Sequence, residues 1–208
     1  MPARAAAGAY VQQAPRDDVR RELKRAEAGR VATRIGAISI ECPVRRKLGE
    51  LFDFEEMTHI AALARERGIR LHLDGARLHV AAAYSAVSVR SYAALFDTVY
   101  VSLWKCFNAP FGAVLAGSTE LLDGVHHLRR MLGGSLPYAW PAALVAAHFR
   151  PGFLDRFSGA KERFERLLLE LERGGRVTVE RVASGTNYAK VSWEGAPEPA
   201  ALREALTA

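Results

Sequence analysis

The sequence predicts an α/β protein with a mainly parallel sheet. Three observations carry that expectation. Short apolar runs suited to buried strands recur at 37–40, 69–73, 98–103 and 113–116. Segments with helical spacing lie between the earlier ones, at 54–67, 78–84 and 89–95. Apolar strands alternating with helices are the pattern of a sheet wrapped by crossover connections.

Each element has its own local reason. Residues 16–30 are polar and helix-like, with Asp17 and Asp18 suited to a helix N-terminus. The run at 37–40 reads as a buried strand that Pro43 ends. In 54–67, Met57, Ile60, Ala61 and Leu63 fall on or near one helical face, and Gly68 fits the position just past the end. The strand at 69–73 runs into Asp74-Gly75-Ala76-Arg77. The next two strands flank Lys105, which the pattern places on a loop. Residues 120–173 read as nearly all helix, interrupted at 133–137 and 150–152, and 163–173 is the clearest amphipathic piece. Strand candidates at 177–182 and 188–193 precede a helix start at Pro199. This divides the chain into an unassigned polar segment at 1–36, a partial large domain at 37–150 and a smaller α+β domain at 151–208. The last is expected to be incomplete, since the chain stops inside a helical pattern.

Composition excludes several classes. The chain has 208 residues, half of them hydrophobic and a quarter charged, which is ordinary for a globular protein. No apolar run approaches the roughly 18 residues of a membrane span, and the Ala-rich start lacks the core of a signal peptide. A cytoplasmic protein is the default reading. The net charge of +6 could attract nucleic acid, but the basic residues are spread over helix-like segments that also carry glutamate. Solvated helix faces account for them. Cys42 and Cys106 lack metal-type spacing, so neither a disulfide framework nor a metal site is expected.

Asp74 ends an apolar strand, where open α/β sheets place their ligand crevice. Lys105 follows at the end of the next β-rich run, so both belong to one sheet edge. On spacing alone, a structural ion pair or two unrelated surface groups is the simpler reading. The context of Lys105, VYVSLWKCFNAPFGAVLAG, shifts it. Apolar surroundings disfavour an ammonium ion, and a neutral amine can attack an aldehyde. A carboxylate such as Asp74 can keep a pyridinium nitrogen protonated, so that the ring withdraws electrons.

Four segments together resemble the L-threonine aldolase/β-eliminating lyase family. These are HLDGARL (72–78), VSLWKCFNAPFGAVLAG (101–117), RRMLGGSLPYAWPAAL (129–144) and GTNYAKV (185–191), so the resemblance covers roughly residues 37–208. It implies an aspartate-aminotransferase-type fold, a pyridoxal 5'-phosphate cofactor, and a dimer or tetramer if the full-length fold is completed. Lys105 would carry the cofactor and act as an acid/base group. Asp74 would pair with the pyridine nitrogen, Arg77 would lie beside the cofactor or the substrate carboxylate, and Ser102 would touch the phosphate. The implied reaction cleaves a 3-hydroxy amino acid such as threonine to glycine and an aldehyde.

The chain also departs from that pattern. The family's phosphate-binding turn and ring-stacking histidine precede the resembling region and have no counterpart before Asp74, so the chain reads as N-terminally truncated. The family's substrate-carboxylate arginine would lie past residue 208. Cys42-Pro43 stand where an Asn commonly follows the glutamate, Cys106 replaces a Gly, and His79 occupies a common aromatic position. His72 reads as structural on its strand, His79 as a surface or cleft residue, and His126 and His127 as an exposed helix face. Trp104 reads as packing and Gly133-Gly134 as a turn. The alternative to an aldolase-like lyase is a non-catalytic remnant or partner subunit that docks on a complete homologue. A nucleic-acid-binding domain is disfavoured because no reading motif is present.

Overall fold

The computed structural model describes residues 7–11, 16–30, 34–195 and 198–207. Its elements run β1 (Ala7–Val11), α1 (Arg16–Glu27), β2 (Ile35–Glu41), α2 (Phe54–Glu66), β3 (Arg70–Asp74), α3 (Leu78–Ser85), α4 (Val89–Ala93), β4 (Thr98–Ser102), α5 (Leu103–Cys106) and β5 (Ala113–Gly117). There follow α6 (Thr119–Leu122), α7 (Val125–Met131), α8 (Trp140–Phe149), α9 (Phe153–Arg173), β6 (Val177–Glu180), β7 (Lys190–Trp193) and α10 (Pro199–Thr207). Among the described residues, no helix is long and apolar enough to cross a membrane.

The first five strands form one sheet in the order β1-β2-β3-β4-β5. The pairs from β1 to β4 are parallel, and β5 returns antiparallel to β4. The expected fold class is therefore the observed one. Strands β6 and β7 form a separate antiparallel pair.

The core lies on one face of the large sheet. Ile38 and Ile40 of β2, Leu71 and Leu73 of β3 and Val99 of β4 are buried there against Met57, Ile60, Ala61 and Ala64 of α2. Burying each large aliphatic chain stabilises by roughly 1.5–3 kcal/mol, so this layer is the main source of the sheet's stability. Helix α2 ends as the sequence suggests and starts at a cap that the spacing does not name. Asp53 accepts a bond from the Glu56 N–H at 2.8 Å, and Gly68 adopts φ +62° just past the end.

Several expectations need correction. Residues 7–11 form β1, hydrogen-bonded to β2, and Val19 and Leu23 of α1 are buried in the same core, so the described part of 1–36 is no separate polar segment. The amphipathic spacing of two apolar residues in a very polar helix was too sparse a signal. The helical region at 120–173 is four helices, with a break at Asp123-Gly124 where Gly124 takes φ +73°. Lys105 lies on the short helix α5 and not on a loop, because the Phe107 N–H closes a turn onto the Leu103 carbonyl at 3.0 Å.

Candidate active site

Two neighbouring strands deliver the site residues to one edge. Asp74 is the last residue of β3, with Glu41 and Tyr100 as its register partners on β2 and β4. The Asp74 backbone is pinned by the Cys42 N–H, which donates to its carbonyl at 3.1 Å. Strand alternation puts His72 and Asp74 on the face opposite Leu71 and Leu73. Parallel register then places Thr98, Tyr100 and Ser102 on that same face, and a 2.9 Å contact between His72 Nδ1 and Thr98 Oγ1 marks it.

Beyond Asp74 the chain turns sharply. The Asp74 carboxylate accepts the Ala76 N–H at 3.2 Å. Gly75 allows the close approach: a Cβ there would meet the Tyr100 carbonyl at 3.0 Å. Arg77 then starts α3, and its carbonyl accepts the Val80 N–H at 2.9 Å. On the next strand Ser102 is fully buried, and its Oγ has no hydrogen-bond partner. Lys105 follows within one helical turn, partly buried, with Nζ 5.3 Å from the centre of the Trp104 ring. Trp104 stands beside the lysine amine, as its sequence reading has it, and is 55% exposed.

The structure brings Arg77, Lys105 and Cys106 close enough for their charges to be felt at one thiol. Burial pushes the Cys106 thiol up to about 11, against the smaller opposing pull of Arg77 and Lys105. Among the described residues, Asp74, Arg77 and Lys105 make no ion pair. These three charges lie partly buried at a strand-end edge, beside the buried Ser102 hydroxyl whose hydrogen-bonding capacity is unspent. No direct contact joins Asp74 to Lys105. A cavity of about 440 Å³ lined by Leu51, Phe54, Tyr92 and Ser184 lies elsewhere, and none of the four candidate residues borders it.

The other candidates fall as follows. His126 and His127 are exposed on α7, and Gly133 takes φ +77° in the turn after it. His79 lies half-buried in a cleft, one of the two places its sequence reading allowed. Its ring stands edge-on to Phe107 at 4.7 Å and to Phe153 at 5.7 Å, and burial lowers its pKa, helped by the Arg150 charge. Sequence spacing missed this because Phe107 and Phe153 come from distant segments. The GTNYAKV motif packs on the segment around Gly49. Thr186 Oγ1 donates to the Gly49 carbonyl at 2.8 Å, and the Leu51 N–H donates to the Ser184 carbonyl at 2.7 Å.

Fold and site together define a class: the chain has the fold of pyridoxal-phosphate enzymes of the aspartate-aminotransferase type. More narrowly, it belongs to the beta-eliminating lyase family, whose model matches residues 5–193. That match starts well before residue 37, where the motif resemblance began. An aldolase of Penicillium aethiopicum is 38% identical over 154 residues, covering 69% of this chain and 39% of the relative. The low specificity L-threonine aldolase of Saccharomyces cerevisiae is 38% identical over 98 residues, covering 47% of this chain and 25% of that protein. A crystal structure from Listeria monocytogenes, assigned as an L-allo-threonine aldolase, superposes with a TM-score of 0.67 at 30% identity, covering 86% of this chain and 48% of that one. The chain thus spans a quarter to about half the length of these relatives. Pyridoxal phosphate is the cofactor that the family implies.

Proposed function

We propose that this chain carries the cofactor-lysine half of a threonine-aldolase-type lyase, which cleaves a 3-hydroxy amino acid to glycine and an aldehyde. The observation that carries the reading is the pair of unpaired groups at adjacent strand ends, Asp74 on β3 and Lys105 just past β4, with Arg77 beside them. The named aldolase relatives support the same class.

The residues present fit pyridoxal phosphate. Lys105 offers an amine with no carboxylate partner, and Asp74 keeps acceptor capacity beyond the Ala76 N–H. Ser102 offers a buried hydroxyl with an unspent hydrogen bond, suited to a phosphate oxygen. When bound, the cofactor supplies an electron sink for the bond that breaks next to the amino-bearing carbon. Lys105 would hold the cofactor and serve as an acid/base group for the substrate, Asp74 would favour the protonated ring nitrogen, and Arg77 would orient the substrate carboxylate through its fork of N–H donors.

The test is a visible absorbance spectrum of the chain with added pyridoxal phosphate. A band that disappears with borohydride and in Lys105→Ala, followed by threonine cleavage, is the expected result. Absence of any Lys105-dependent band would overturn the reading in favour of a docking subunit. The unpaired outer edge of β5, with Val114 and Leu115 exposed, favours that second reading.

A further inference from the structure

We propose that His79 is the positioning residue of Lys105, clamping the turn that carries the lysine against the helix that begins after Arg77. The clamp is a triangle of rings from three elements. His79 of α3 meets Phe107 at 4.7 Å and 83°, and Phe153 of α9 at 5.7 Å and 83°. Phe107 and Phe153 close the third side at 5.5 Å and 78°. Edge-to-face rings attract while fixing relative orientation, so the triangle ties three backbone segments together.

Phe107 is the link to the lysine. It is 2% exposed, and its N–H donates to the Leu103 carbonyl, closing the turn that contains Lys105. Any shift of the Phe107 ring therefore moves α5. On the other side, Arg77 starts the helix that holds His79. The clamp fixes the spacing between the two charged groups of the proposed site.

His79 acts here as an aromatic ring. Its Nδ1 is buried with no hydrogen-bond partner. The charged groups that share its cleft are Arg90 of α4, Arg150 after α8 and Asp155 of α9, and Arg150 is the one whose charge reaches the ring. Burial disfavours the imidazolium, and the Arg150 charge adds to that. A histidine lowered in the folded state stabilises above its unfolded value of about 6.5 and loses that contribution as pH falls through the lowered one. The clamp is thus closed at neutral pH and opens in acid.

The proposal rests on the cofactor reading of Lys105 for its consequence, but its test does not. Cys106 lies between Lys105 and Phe107 and reports on the turn, while Cys42 is fully buried and raised to about 12. Labelling of Cys106 with dithiodipyridine is followed in the native chain and in His79→Phe, which keeps three rings and removes the titration. The native-to-variant rate ratio should climb severalfold as pH falls below the ordinary histidine value of about 6.5, where the open form takes up the proton first. In His79→Ala, with helix content checked by circular dichroism, labelling should be fast throughout. A flat ratio, or slow labelling in the folded alanine variant, overturns the clamp. If the Lys105-dependent band is absent while the ratio still climbs, the cofactor reading fails and the clamp stands. A band with a flat ratio means the reverse.

Discussion

Ser102 separates stability from binding in a single atom. Its hydroxyl is fully buried and unpartnered, so Ser102→Ala breaks no hydrogen bond and removes a desolvated polar group. Unfolding stability should stay within about 1 kcal/mol of the native value or rise, while apparent affinity for pyridoxal phosphate drops. Urea titration and cofactor absorbance measure the two effects independently. The placement of Asp74 and Lys105 at one sheet edge was legible because strand ends can be read locally, while Arg77 and Ser102 entered only through the family resemblance. The ring contacts of His79 were not legible. Whether a ring is enclosed depends on which distant segments fold over it, and no spacing along the chain records that.

Between elements, one carboxylate fixes the register of the two strands that present the site. Asp97, just before β4, accepts the Leu71 N–H and the Arg70 guanidinium, each at 2.8 Å, while its own N–H donates to the Leu71 carbonyl. Burial pushes its pKa up, but the Leu71 N–H and Arg70 outweigh that and hold the carboxyl below its usual range. A lowered carboxyl stabilises above its unfolded value and loses that contribution as pH falls through the folded one. Asp97→Ala should therefore cost about 1–3 kcal/mol at neutral pH, read by urea unfolding, with the difference shrinking below about pH 4. Leu73→Ala, which hollows the fully buried centre of β3, should cost about 2–5 kcal/mol at any pH. Helix α2 was readable from its apolar spacing and from Gly68 just past its end, while the Asp53 cap at its start emerged only in the structure. The breaks at 133–137 and 150–152 were legible from their Gly and Pro residues, whereas the one at Asp123-Gly124 was hidden, since apolar spacing continues across Gly124 and does not report where hydrogen bonding stops.

At the scale of the molecule, stability should decline in two stages on acidification. His72 and His79 both have pKa values lowered chiefly by burial, so stability first declines as pH drops below the ordinary histidine range. The lowered carboxyl of Asp97 adds a second decline further into acid. Thermal midpoints across pH should show both, and His79→Phe should remove part of the first only. The fold class was legible because β-α alternation is a local pattern, but the place of β1 beside β2 was not, since pairing is a long-range choice. The same holds for the docking of Thr186 on Gly49.

That docking sets an order on folding. Gly49 holds φ +71°, and a Cβ there would meet Thr186 Oγ1 at 2.5 Å, so the two segments interlock closely. They are 137 residues apart. The entropy of closing so long a loop must be met before the contact returns anything, which makes it a late event. During synthesis the strands from β1 to β5 can assemble while residue 186 is still unmade. The loop around Gly49 then waits uncovered, a natural point for proteases or chaperones to engage until the C-terminal segment arrives.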